Sequence, residues 1–125
     1  MKKVLITKIG LDGHDVGAKI IVKLLKENNF EVEYLGIRQE IEDIVAKVKE
    51  FKPDAVGVSI MTGGHNYFMP KLKKALNKRG FKKVRLVCGG LIPKDDKKQL
   101  LKTVDAVFSN NTSLHDILQY FKECI

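Results

Sequence analysis

The chain has 125 residues, 44% of them hydrophobic and 30% charged, which is enough to bury one core and too little for a second domain. No apolar run approaches the ~20 residues of a membrane span, and the short stretch after Met1-Lys2-Lys3 falls below the ~7–15-residue core of a signal peptide. The net charge of +8 is local: eight of the 23 basic residues lie within 71–85, and the other 15 balance the 15 acidic residues.

In chain order, a first strand is expected at Val4-Leu5-Ile6, followed by a long Gly-rich loop from Lys8 to Gly17. A helix then places Ala18, Ile21, Val22 and Leu25 on one face and ends at Asn28-Asn29. The second strand, Val32-Glu33-Tyr34-Leu35, leads to a helix with Ile41, Ile44, Val45 and Val48 facing inward, stopped by Lys52-Pro53. A third strand, Ala55-Val56-Gly57-Val58, ends at Ser59, and the next helix sets Phe68, Leu72, Ala75 and Leu76 on one face before Gly80. A fourth, Val84-Arg85-Leu86-Val87, ends at Cys88 and turns through Gly89-Gly90. Pro93 opens a short helix over 94–103 with Leu100 and Leu101 facing in. Ala106-Val107-Phe108 is the fifth strand, and Leu114, Ile117, Leu118 and Phe121 mark the last helix.

Strands alternating with helices over short links predict an α/β fold, a doubly wound five-stranded parallel sheet with helices on both faces. It forms one domain over 1–125, with strand order 2-1-3-4-5 (flavodoxin-like). Cys88 and Cys124 make no disulfide framework and read as free thiols in a reducing, cytoplasmic setting.

Sheets of this kind bind ligands beyond the carboxyl ends of their strands, where the strand order reverses. That selects the loops 8–17 and 59–66, with 88–93 and 109–113 beside them. The first loop contains His14 two residues after Asp12 and no phosphate-cradle spacing. A neutral imidazole is the commonest metal ligand, and a carboxylate on its other nitrogen sets its tautomer. Taken alone, the same residues fit a surface loop in which Asp12 and Asp15 serve turns and a helix cap. Gly63, Gly64, Gly89 and Gly90 at neighbouring strand ends suggest a groove in which a ligand approaches the backbone closely.

Asp12-x-His14-x-x-Gly17, then Ser59-x-Met61, then Gly89-Gly90 resembles the signature of cobalamin-binding domains. The likeness spans essentially the whole chain. The stretches Lys8–Asp15, Gly36-Ile37-Arg38-Gln39, Val56–Ser59 and Gly89–Pro93 are most similar to the small subunit or C-terminal domain of methylmalonyl-CoA mutase-type enzymes. That resemblance implies a base-off cofactor, adenosylcobalamin, with His14 as lower axial ligand of cobalt. Asp12 would bond the other ring nitrogen of His14, and Lys19 would complete the relay. Gly13, Asp15, Val16, Gly17, Met61, Thr62 and Gly63 would surround the cofactor. Ser59, Gly89, Gly90, Phe108 and Thr112 would line the slot for its nucleotide tail. Four positions depart from the family pattern: Met61 replaces a leucine, Val16 an arginine, and Asn110-Asn111 the Pro-Gly of the usual P-G-T that ends at Thr112.

The implied role is that of a cobalamin-binding subunit, inactive alone, of a carbon-skeleton isomerase whose large barrel-type catalytic subunit binds an acyl-CoA. The alternatives are a corrinoid methyl carrier using methylcobalamin or another corrinoid, and a non-enzymatic cobalamin carrier. Methyl carriers usually have a helical cap ahead of the first strand. A first strand near Val4 leaves no room for one here, which directs the expectation to the mutase class. A phosphorelay receiver would need an acidic cluster and a strand-end Asp where Lys8 and Ser59 stand. A flavodoxin would need a hydroxyl-rich phosphate loop, and a zinc hydrolase a closely spaced ligand trio that His14, His65 and His115 do not form. The basic stretch has only Phe81 as an aromatic within it, so no nucleic-acid partner is expected, and it reads as a solvated helix face or as a dock for an acidic face of the partner subunit. With no apolar span, no membrane partner is expected either.

Overall fold

Five strands and five helices alternate along the chain in the computed structural model, which describes residues 1–9, 16–60, 64–109 and 111–125, with Val16 described by its backbone alone. They are β1 (Lys3–Ile9), α1 (Val16–Glu27), β2 (Glu31–Gln39), α2 (Ile41–Phe51) and β3 (Ala55–Ile60) in the first half. The second half holds α3 (His65–Lys78), β4 (Arg85–Gly90), α4 (Lys94–Leu100), β5 (Ala106–Ser109) and α5 (Leu114–Cys124). Every strand pair is parallel, and the order is β2-β1-β3-β4-β5, as the alternation of periods predicts.

Each boundary has a local cause. Asn29 and Lys52 adopt left-handed backbone, with φ of 70° and 54°, directly after α1 and α2. The Lys52 N–H closes α2 on the Val48 carbonyl, and Pro53 cannot extend the helix. At the start of α2 the Glu40 N–H donates to Asp43 Oδ2 at 2.9 Å, and at the start of α5 Ser113 Oγ accepts from the Asp116 N–H at 3.1 Å.

The sheet separates two apolar layers. Ile44, Val48, Leu72, Leu76 and Leu100 of α2, α3 and α4 bury one face, together with Leu5, Val56 and Leu86. Ala18, Val22 and Leu25 of α1 and Ile117 and Phe121 of α5 bury the other, against Val4, Ile6, Ala55 and Val87. Residues alternate between faces along each strand, so Ile6, Gly57, Val87 and Gly89 share the α1/α5 side.

Three expectations need correction. Gly89 and Gly90 are not a turn: β4 runs through both, pairing them with Ser59 and Ile60 of β3 and with Phe108 and Ser109 of β5. Leu101 is 48% exposed, because α4 ends at Leu100 and only Leu100 reaches the core. Leu114 is 46% exposed, since the first turn of α5 overhangs a cavity instead of the core. The eight basic residues of 71–85 are all exposed except the half-buried Lys73, and α3 lies on the sheet face away from α1 and α5.

Cys88 is buried in β4 and faces the α2–α4 layer, and burial pushes its thiol up to about 12. The raised value sets the sign of a pH effect. Folding favours the protonated thiol, so this contribution is complete below the ordinary value of 9.0 and is lost as pH rises from there toward about 12. Alkylation of the folded protein near ~pH 8 is expected to modify exposed Cys124 and spare Cys88, which mass spectrometry would check.

Candidate functional site

The strand order reverses between β1 and β3, whose pairing runs from Val4↔Ala55 to Thr7↔Val58. Beyond it Lys8, fully buried, reaches across: its Nζ donates to the Ser59 carbonyl at 3.0 Å and to Ser59 Oγ at 3.4 Å. A buried lysine is among the least common core residues and is held by specific partners when it occurs. Sequence reasoning gave Lys8 no role in the site; its place at the end of an otherwise apolar strand was the available signal.

Between the sheet and the helices α1 and α5 lies a cavity of about 420 Å³. Its sheet wall exists because side chains are missing from it. A Cβ on Gly57 would stand 2.9 Å from Ile6 Cδ1 and 3.6 Å from Val87 Cγ2, and one on Gly89 would stand 3.1 Å from the Phe108 carbonyl oxygen. Gly90 is confined differently. Its φ of +123° suits glycine, and a Cβ there would collide with the Ile60 carbonyl of the neighbouring strand.

The cavity changes character along its depth. The inner end is walled by Ile6, Ala18, Val87, Ile117 and Phe121, all buried. The mouth carries Ser59, Ser109 and Thr112, partly exposed, with Ile20 and Leu114 at the rim. Ser109 Oγ and Thr112 Oγ1 lie 3.4 Å apart, so those hydroxyls engage each other. His65, at the start of α3 and 3% exposed, places Nε2 3.3 Å from the Gly89 carbonyl and ties that helix to the cavity wall.

Of the residues selected from sequence, Gly17, Ser59, Gly89, Gly90, Phe108 and Thr112 come together around this cavity. Lys19 lies on the exposed side of α1. Asp12, Gly13, His14, Asp15, Met61, Thr62, Gly63 and the side chain of Val16 lie outside the described residues. Sequence reasoning missed Gly57, Ile117 and Phe121 as cavity walls. A glycine between β-branched residues in a strand was the signal for the first, since it marks a close approach; the two helix residues read as ordinary core. Among the described residues no group of three or more His, Cys, Asp or Glu could hold a metal ion, and no helix is long and apolar enough to cross a membrane.

Comparison with known proteins agrees with this geometry. The chain is 36% identical over 115 residues to methylmalonyl-CoA mutase of Rhizobium meliloti, covering 91% of this chain and 16% of that enzyme. It is 33% identical over 100 residues to the 2-hydroxyisobutanoyl-CoA mutase small subunit of Aquincola tertiaricarbonis, covering 80% of this chain and 74% of that subunit. A crystal structure of a cobalamin-binding protein from Desulfitobacterium hafniense superposes with a TM-score of 0.85 at 27% identity, over 99% of this chain and 59% of that one. The fold alone recurs in the methanol:cobalamin methyltransferase complex of Methanosarcina barkeri, at a TM-score of 0.77 and 22% identity, over 98% of this chain and 47% of that one. Residues 2–116 match the B12 binding domain family, and the chain belongs to it.

Proposed function

We propose that the chain holds adenosylcobalamin base-off, with the nucleotide tail in the α1/α5 cavity and His14 as the lower axial ligand of cobalt. In this role it serves as the cobalamin-binding subunit of a carbon-skeleton mutase. The observation that carries the reading is the cavity itself, floored by Gly57 and Gly89 and entered at Gly17, three residues after His14. Its 420 Å³ suits a ribose and a bicyclic base, and small-molecule sites of this kind are concave, apolar and about this size. The mutase relatives support the assignment of class, because two of them are separate small subunits of acyl-CoA mutases.

When bound, adenosylcobalamin supplies carbon-radical chemistry through its cobalt–carbon bond; the protein supplies ligation, orientation and exclusion of water. His14 would present one ring nitrogen to the metal, and Asp12 would accept a hydrogen bond from the other and so set the tautomer. Lys8, whose Nζ is held on Ser59, and Lys19 on α1 are the basic residues that flank this pair in sequence. Ser59, Ser109 and Thr112 offer hydroxyls at the mouth, where the polar sugar-phosphate part of the tail would pass. Acyl-CoA binding and radical handling fall to a large barrel-type partner subunit.

Gly57→Ala tests the fit of the tail. Ile6 Cδ1 is a side-chain end that can swing away, so the variant is expected to lose only about 1 kcal/mol in urea unfolding. The displaced Ile6 and the new methyl narrow the cavity, and cobalamin affinity is expected to fall at least tenfold by titration. An unchanged affinity would remove the tail from this cavity.

The mutase class is tested by purifying the chain with the large subunit it assembles with and assaying acyl-CoA rearrangement. Isomerisation is expected only with both chains and adenosylcobalamin present. Methyl transfer from methylcobalamin without isomerisation would make the chain a corrinoid methyl carrier instead.

A further inference from the structure

We infer that Arg38 is an ionic anchor for the large partner subunit, its guanidinium pairing with a carboxylate of that subunit when the two chains assemble. The inference rests on the two-subunit reading above and adds to it a contact made by this chain. Among the described residues, three other than glycine have positive φ, and Arg38 is one of them, at 55°. Asn29 and Lys52 follow helices, where a left-handed residue is an ordinary ending. Arg38 stands instead within β2, one residue from its carboxyl end. There β2 departs twice from regular pairing. Opposite the step from Ile6 to Thr7 it advances from Tyr34 to Gly36, and opposite Thr7 to Ile9 it advances from Gly36 to Gln39. Each departure sets an extra residue into β2, and bulges of this kind re-aim side chains beside functional sites. A glycine would hold the Arg38 backbone with less strain, so the strain points to a use for the side chain.

That side chain is exposed, and its guanidinium has no hydrogen bond or ion pair among the described residues. The acidic residues that follow it are engaged: Glu40 and Asp43 form the capping box of α2, and Glu42 pairs with Arg79. A guanidinium carries a full charge and a planar fork of donors, which a carboxylate meets with two parallel bonds. The cofactor offers no such group at this place. Its peripheral side chains are neutral amides, and its phosphate belongs to the tail. The mouth of the tail's cavity, at Ser59, Ser109 and Thr112, lies at β3 and beyond, two strands or on the order of 10 Å from β2. The same carboxyl edge of the sheet leaves apolar side chains uncovered: Tyr67 and Leu114 in the first turns of α3 and α5, and Leu91 directly after β4. Exposed apolar side chains beside an unpaired arginine are the composition of a protein contact.

The test measures, by calorimetry, assembly of the purified large subunit with the cobalamin-loaded chain and with its Arg38 variants. The thermal midpoint and the cobalamin affinity of each chain alone are measured beside it. Arg38→Gly is expected to raise the midpoint by about 2–5 °C as the strain is released. It should bind cobalamin within twofold of the parent chain and assemble at least tenfold more weakly. Arg38→Glu should be at least threefold weaker again, and Arg38→Lys, a point charge without the fork, should fall between Arg38→Gly and the parent. Added salt should weaken assembly of the parent more than that of Arg38→Gly. Assembly of Arg38→Gly within threefold of the parent overturns the anchor, and a midpoint below the parent's removes the strain on which it stands. A loss of cobalamin affinity in the chain alone that accounts for the weaker assembly overturns the partner assignment and moves Arg38 to the cofactor. Arg38→Glu no weaker than Arg38→Gly overturns the carboxylate. A parent chain that assembles with no large subunit overturns the two-subunit reading and the anchor together, an outcome separate from any behaviour of the Arg38 variants.

Discussion

Gly90→Ala is expected to be the most destabilising single methyl in the sheet, costing about 3 kcal/mol or more and lowering the thermal midpoint by on the order of 10 °C. Two effects act together. A φ of +123° is strained for any residue with a Cβ, and that Cβ would also run into the Ile60 carbonyl. The collision is with backbone, which cannot rotate away, and Ile60 is itself held to Gly90 in the β3–β4 ladder. Gly36 is the matched control. Its φ is +105°, but the nearest atom to a Cβ there is Gln39 Nε2 at 3.7 Å, so Gly36→Ala carries the conformational cost alone, about 1 kcal/mol. Equal losses for the two variants in urea unfolding would mean that β3 and β4 do not approach as closely at Gly90 as described. Cobalamin binding by Gly90→Ala should fall with the fold, whereas Gly36→Ala should retain it.

The fold was legible because two periods alternate cleanly. The stripe Ile44, Val45, Val48 is buried as a 3.6-residue period requires, and Val4, Leu5 and Ile6 are all buried as a strand covered on both faces requires. What the sequence did not disclose is which missing side chains make a void. Gly89 and Gly90 look like a turn in one dimension, and only their pairing to β3 and β5 shows them as a strand whose bare face opens a cavity. Gly57, between Val56 and Val58, marks a close approach in the sequence, but what approaches is seen only when Ile6 and Val87 stand against it. Ile117 and Phe121 read as core because they are core, and the cavity borrows their outer edges. The net charge was legible as a location on α3 and the loop to β4. The fold adds that α3 carries its share of this charge on the face opposite the cavity, with Arg79 paired to Glu42, whereas Arg85 at the start of β4 pairs with Asp105.

The largest functional effect is expected at His14. Removing a group that only orients a metal ligand typically costs ten- to a hundredfold in affinity, so Asp12→Asn belongs in that range. His14→Ala removes the proposed ligand itself and is expected to exceed that loss of affinity while leaving the unfolding midpoint unchanged. A structural role for His14 would instead lower the unfolding midpoint together with the affinity.

Axial ligation is read most directly by electron paramagnetic resonance of the reduced, cob(II)alamin-loaded protein grown on histidine labelled with heavy nitrogen of spin one-half. With His14 on cobalt, the superhyperfine triplets from ordinary nitrogen become doublets, and they are absent altogether in His14→Ala. Triplets that persist unchanged in the labelled protein would place dimethylbenzimidazole, not His14, on the metal and contradict the account at its centre.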